Sequence, residues 1–192
     1  MNKQAAFTLI ELVLVIVVLA ILSSVAIPKF INLKSDAELA SMKEMRAALV
    51  SARDLNYALV EINPGNKNSN STIYTKDNGE QFRIRGNYPD GRWVNNGIQT
   101  FESLVSFDDV TLITTSTCPE DGSDWCVHHK GQLWFTSRQY SDAAVGHGFV
   151  IFPKGNNFNQ IRCYVYYFTP NPSGLSTTGI IPVVGIDSSE CG

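Results

Sequence analysis

The sequence has no GxSxG elbow, no HExxH pair, no P-loop, no CxxC pair and no long run of either charge. The first three absences remove the usual signatures of serine hydrolases, zinc peptidases and nucleotide-binding enzymes. A net charge of -3 without a basic stripe argues against nucleic acid as a partner. Histidine is scarce, and two of the three are adjacent, His128 and His129. Neighbouring residues seldom converge on one ion, so a solvated loop is expected there. Glu120, Asp121 and Asp124 in "CPEDGSDWC", and Asp187 with Glu190, gather the oxygens that calcium takes, but without the loop spacing of a calcium module. Gly146 and Gly148 are a fragment of a nucleotide loop on what reads as a strand. Trp93, Trp125 and Trp134 read as core rather than as platforms for sugar rings. No catalytic residue, metal or cofactor is expected, and the chain is read as a non-enzyme.

What is abundant is placed unevenly. Hydrophobic residues make up 44% of the chain and charged ones 17%, the balance of an ordinary folded protein. Yet residues 7–27 contain only four polar side chains, Thr8, Glu11, Ser23 and Ser24. As a helix this run reaches about 31 Å, matching a hydrocarbon core of about 30 Å. Ser24-Val25-Ala26 also offers small residues for a signal peptidase, but the run exceeds the usual apolar region of a removable signal, and Glu11 lies inside it. An acid within a membrane segment costs about 2.5 to 3.5 kcal/mol on the scale for Asp, so a function is expected of it. No basic residue in the run can neutralise Glu11.

Downstream, Met42, Met45, Leu49, Ala52, Leu55, Leu59 and Ile62 recur every three or four residues, the period of a helix with one buried stripe. Asn63-Pro64-Gly65 stops it. Taken from 7 to 62 the helix would be about 84 Å long. Its first half must therefore project out of any compact domain of this size. Pro28 lies inside it, removes one backbone donor and crowds the preceding turn, so either a kink or local melting, or a break into two helices, is expected there. Residues 132–138, 147–153, 160–169 and 180–186 read as strands, 110–115 as a further one and 98–105 as a short helix. Within 160–169, Ile161, Cys163, Val165 and Tyr167 share one face, with Arg162, Tyr164 and Tyr166 on the other. Lys154-Gly155-Asn156-Asn157 suits a hairpin, and Pro89-Asp90-Gly91 a turn in which Gly91 permits positive φ. The fold class is α+β, with an antiparallel sheet on the second half of the long helix. The four cysteines allow three pairings; Cys118–Cys126, closing a short loop, and Cys163–Cys191, pinning the tail, are favoured. Disulfides place this half in an oxidising compartment.

Ala6-Phe7-Thr8-Leu9-Ile10-Glu11 resembles the processing site of type IV pilins and type II secretion pseudopilins. Residues 26–33, Asp36-Ala37, residues 51–55 with Tyr57, Gly86-Asn87-Tyr88-Pro89 and residues 163–167 are similar to MSHA-type (mannose-sensitive haemagglutinin) pilins. The resemblance implies a leader, 1–6, cut between Ala6 and Phe7, with N-methylation at Phe7, although the family usually has Gly where Ala6 stands. It implies a transmembrane and polymerisation helix over 7–28, an amphipathic continuation over 29–62, and a globular domain over 63–192. Its partners would be a prepilin peptidase and N-methyltransferase, an inner-membrane assembly platform, and further copies in a helical filament. Glu11 would pair with the Phe7 amine of another copy. The precursor would sit in the inner membrane and the product on the cell surface, as an adhesive pilus or as a secretion pseudopilin. A soluble hydrolase or lectin released after Ala26 is the competing reading.

Overall fold

The computed structural model describes residues 8–70, 72–95, 98–102, 104–105, 107, 109–142, 145–170 and 181–191, leaving aside the side chains of 25–32, 34, 95 and 99. The chain divides into two compact units, Met1–Glu38 and Leu39–Cys191. Helix α1 runs Leu9–Ile62 as a single element, so Pro28 neither ends it nor melts it. This removes the two-helix alternative. At the far end the Asn63 N–H still donates to Leu59 O at 3.1 Å, and Pro64 then opens a short 3-10 turn.

In the first unit, the large apolar side chains of α1 from Leu9 to Leu22 are 44% to 81% exposed. Among the described residues they meet no core of this unit. Ser24 folds its hydroxyl back onto Ile21 O at 2.7 Å, which satisfies it without solvent.

In the second unit, α1 buries Met42, Met45, Leu49, Ala52, Asn56 and Val60. The expected stripe is right through Ala52 and wrong beyond it: Leu55 and Ile62 are 71% and 75% exposed, and Leu59 is only partly covered. A helical face continues at Asn56 and Val60, four residues apart each time. Asn56 hides this continuation because it is polar; its amide is satisfied internally, donating to Ala52 O at 2.7 Å.

After α1 come β1 (Ile73–Thr75), β2 (Gln81–Arg85) and β3 (Tyr88–Pro89), a small antiparallel sheet. Its second turn holds Gly86 and Asn87, both at positive φ, 57° and 68°, the conformation of a two-residue hairpin turn. The positive φ expected at Gly91 is absent there. Gly91 instead lies against the His147 carbonyl, where a Cβ would overlap it. Strands β4 (Val94–Asn95) and β5 (Ile98–Gln99) form a short ribbon, so the helix expected over 98–105 is replaced by a strand and a turn, in which Val105 N–H donates to Phe101 O at 3.0 Å.

The main sheet comprises β6 (Val110–Leu112), β7 (Trp125–Gly131), β8 (Gly146–Pro153), β9 (Tyr164–Pro170) and β10 (Val183–Asp187), in the order β10-β9-β8-β7-β6. Four strands are antiparallel and β6 runs parallel to β7, so the sheet is mixed rather than wholly antiparallel. A parallel pair needs a crossover of about a dozen residues; here residues 113–124 supply it, with the Cys118–Cys126 disulfide tying the loop to β7. The second disulfide, Cys163–Cys191, ties the tail to the start of β9. The strand expected over 132–138 is α2 (Gln132–Thr136), and the strand lies just before it, at β7. The histidines, lysine and glycine of "WCVHHKG" lack the aromatic and β-branched density that marks the other strands.

The alternation expected in β9 holds. Cys163, Val165 and Tyr167 join Met42, Leu49, Trp93, Phe101 and Phe149 in the core on the α1 side. Tyr164, Tyr166 and Phe168 join Phe135, Phe152 and Phe158 on the other side, which α2 covers. Gly146 and Gly148 have no part in a nucleotide loop: a Cβ on Gly146 would strike the Phe168 ring, and one on Gly148 the Phe135 ring and Tyr167 O.

Replacing fully buried Leu49 by Ala removes a core side chain and is expected to lower stability by about 2 to 5 kcal/mol. Leu55→Ala, on the exposed face, should change it by less than about 0.5 kcal/mol. Urea unfolding of the full chain in detergent, followed by tryptophan fluorescence, measures both; equal losses would contradict the observed helix face.

Candidate functional site

The start of α1 holds a reciprocal hydrogen-bond pair. The Thr8 N–H and hydroxyl both donate to Glu11 Oε2, at 3.2 and 3.0 Å, and the Glu11 N–H donates to Thr8 Oγ1 at 3.4 Å. This is a capping box, in which residues three apart satisfy backbone donors that a helix start otherwise leaves orphaned. The positive end of the helix dipole also favours a carboxylate in the first turn. Thr8 gives Glu11 hydrogen bonds but no charge, so it caps the helix without neutralising the carboxylate. The signal was legible, because Thr8-x-x-Glu11 before an apolar run is the capping-box pattern. Ala6 and Phe7, the expected cleavage and methylation positions, lie outside the described residues.

No helix among the described residues is long and apolar enough to cross a membrane. The apolar run with described side chains, 9–24, is shorter than the roughly 20 residues a span requires. The helix continues through 25–30, whose side chains lie outside the described set.

The remaining candidates are used by the fold. His128 and His129 are in β7, not in a loop, and are half-buried. His129 Nε2 accepts the Trp93 N–H at 2.9 Å, while His128 contacts His129 O at 2.6 Å and Thr114 O at 3.1 Å. Among the described residues no three metal-ligating side chains cluster. Asp124 pairs with Lys154, and the Asp124 N–H donates to Asp109 Oδ2 at 2.7 Å. Glu190 Oε2 accepts the Arg162 N–H at 2.7 Å. Asp187 accepts from Tyr140 and from Ser189. Burial works to raise the Asp187 pKa, but these hydrogen bonds outweigh it and hold the group below the usual carboxylate range. Trp93 is core, near-parallel to the rings of Phe101 and Phe107 and edge-on to Phe149.

Asp90, 2% exposed, anchors a buried polar cluster, although the sequence marks it only as part of a turn. Its Oδ2 accepts from Arg85 Nη2 at 3.0 Å, and Arg92 Nε lies 4.0 Å from Oδ1. His129 and His147 share this neighbourhood. Burial lowers the pKa of both, with Arg92 adding to the shift and Asp90 opposing it.

Residues 1–27 match the family model described as the prokaryotic N-terminal methylation motif. Neither the curated proteins nor the solved structures contain a match to the chain.

An imidazole whose folded pKa lies below its unfolded value of about 6.5 gives its full stability above that pH, and the contribution is lost as pH falls from 6.5 through the folded pKa. The urea midpoint should therefore drop between pH 7 and pH 5. His129→Gln, which keeps an acceptor for Trp93 without a titrating ring, should lessen that drop, the remainder coming from His128 and His147, whose pKa values burial also lowers; an unchanged pH profile would contradict the assignment.

Proposed function

We propose that this chain is the precursor of a structural pilus subunit. Its leader, 1–6, is removed between Ala6 and Phe7, the new amino terminus is N-methylated, and the product polymerises through the first half of α1 into a type IV, MSHA-like pilus for surface attachment. The observation that carries this reading is the N-terminal methylation motif over 1–27, read together with a helix whose apolar side chains from Leu9 to Leu22 stay exposed among the described residues of their unit. Such a helix is stable in lipid before assembly and in a bundle of like helices afterwards. The precursor is held in the inner membrane and acted on by a prepilin peptidase and N-methyltransferase, then passed to an assembly platform.

Glu11 is the assembly residue. Thr8 engages Oε2 only, and among the described residues Oε1 has no donor. The Phe7 amine of another copy would supply one, and with it the opposite charge that the uncharged Thr8 donors lack. The chain is a building element with no cofactor and no catalytic role. The same motif serves type II secretion pseudopilins; the MSHA-like segments after Pro28 and the two disulfides favour the pilus.

Mass spectrometry of the mature protein should find N-methylated Phe7 as its first residue. A terminus after Ala26 would sink the reading and support a secreted soluble protein instead. Glu11→Val should still be cleaved but form no fibres under the electron microscope. Thr8→Val should cost only about 1 kcal/mol of capping and leave fibres intact. Normal fibres from Glu11→Val would remove the pairing role.

A further inference from the structure

Three side chains from three elements of the second unit meet at one amide. Glu61 lies in the last turn of α1, Lys67 follows the 3-10 turn Pro64–Asn66, and Asn87 sits in the turn between β2 and β3. Lys67 Nζ donates to Asn87 Oδ1 at 3.1 Å, and Asn87 Nδ2 donates to Glu61 Oε1 at 2.6 Å. The two contacts fix which way the amide points, since an ammonium can only donate and a carboxylate can only accept. The backbone places each residue. Lys67 forms an antiparallel bridge with Tyr74, and the Asn68 N–H donates to Ile73 O at 2.9 Å. Asn87 is held at φ 68° in its hairpin turn. Tyr57, one helical turn before Glu61, stacks on Tyr88 with ring centres 4.4 Å apart. The Glu61 charge, then desolvation, then the hydrogen bond from the Tyr57 hydroxyl to Glu61 raise the Tyr57 pKa. The Glu61 carboxylate therefore faces both that hydroxyl and the Asn87 amide.

The trio is a nucleophile, an acyl group and a proton carrier in contact. Lys67 forms no ion pair among the described residues. A C=O bond is about 1.23 Å long, so a small pivot of the flexible lysine stem takes Nζ from Oδ1 to Cγ. An oriented intramolecular nucleophile reaches effective concentrations of about 10⁵ to 10⁸ M, and a placed acid–base group adds about 10² to 10⁴-fold in rate. We infer that Lys67 and Asn87 join in an intramolecular isopeptide bond, with Glu61 carrying the proton between them. Once Lys67 has shed one proton, its lone pair attacks Asn87 Cγ and the carbonyl pair moves onto Oδ1. As the carbonyl re-forms, the Cγ–Nδ2 bond breaks; Glu61 hands the proton released by the attacking amine to Nδ2, which leaves as ammonia. One ammonium and one primary amide thus become one secondary amide and one ammonium ion, with no oxidant or reductant. Lys67 and Asn87 are half-buried while Glu61 is exposed, so ammonia has an open way out. The bond fastens the chain after α1 to the β2–β3 turn. The small sheet there is not paired with the main one, and its core among the described residues is Val60, Tyr74, Phe82 and Ile84. A covalent tie supplements so small a core. It forms on the folded second unit and needs neither cleavage after Ala6 nor polymerisation.

The test is tryptic digestion and tandem mass spectrometry of the full chain, purified in neutral detergent and reduced. The linked chain should yield residues 54–76, uncut at Lys67, carrying residues 86–92 as a branch, and lighter than the two peptides together by one ammonia. Lys67→Arg, which keeps the charge, and Asn87→Gly, which keeps the positive φ, should give no branched peptide. Glu61→Gln, which keeps the shape of the side chain, should give at least about tenfold less of it at a matched time after synthesis, because the proton carrier is gone. Lys154→Gln, at a separate ion pair, should link as fully as the unaltered chain. The unaltered chain carries the primary readout, so a variant that fails to fold leaves the test intact. Complete cleavage after Lys67 in the unaltered chain, a branch at a residue other than Asn87, or full linkage in Glu61→Gln would overturn the inference.

Discussion

Twelve leucine, isoleucine and valine side chains between Leu9 and Leu22 are left exposed on α1. Burial of one such side chain is worth about 1.5 to 3 kcal/mol, so even partial coverage of the set is worth on the order of 10 kcal/mol or more. That is comparable with the whole stability of an ordinary domain, about 5 to 15 kcal/mol. Water is therefore the wrong surrounding for this segment, and its partner must come from outside its own unit. The polar groups within it are arranged to suit such a partner. Ser24 bonds its own helix, and Thr8 with Glu11 closes the helix start, so few polar groups would be carried into an apolar surrounding unsatisfied.

The unit from Leu39 onward obeys the opposite rule. Both faces of its main sheet are covered, one by the second half of α1 and the other by α2 with the aromatic residues around Phe158. Because β8 and β9 are buried on both sides, they read as near-continuous apolar runs rather than as strict alternation. Glycines at 146 and 148 make room for the rings that pack across them. Two disulfides fasten the crossover before β7 and the chain end beside β9, the two places where little regular structure would otherwise hold the backbone.

How far this could be read from the residues depended on what each element is made of. The strands β8, β9 and β10 were legible because aromatic and β-branched residues dominate them. The face assignment of Cys163, Val165 and Tyr167 followed from the period of two. The sequence of β7 misled because it carries His128, His129 and Lys130, whose polar ends are satisfied by neighbours that only the tertiary fold supplies. The stripe of α1 was lost after Ala52 because a buried Asn56 takes the place of an apolar residue. The small sheet of β1 to β3 gives no clear strand signal in the sequence, since its strands are only two to five residues long. At the candidate assembly site the cost of an acid in an apolar run marks Glu11, whereas its bond to Thr8 belongs to a separate signal, the helix-capping pattern Thr8-x-x-Glu11.

In the proposed pilus, other copies of the same chain cover the exposed side of α1. Site-specific photo-cross-linking from a benzoylphenylalanine placed at Ile16, in surface fibres sheared from cells, tests it most directly. The account predicts covalent dimers and higher multimers of the chain joined through that position. Fibres in which Ile16 links to no other copy, or cells that yield this protein only as a soluble monomer, would contradict it.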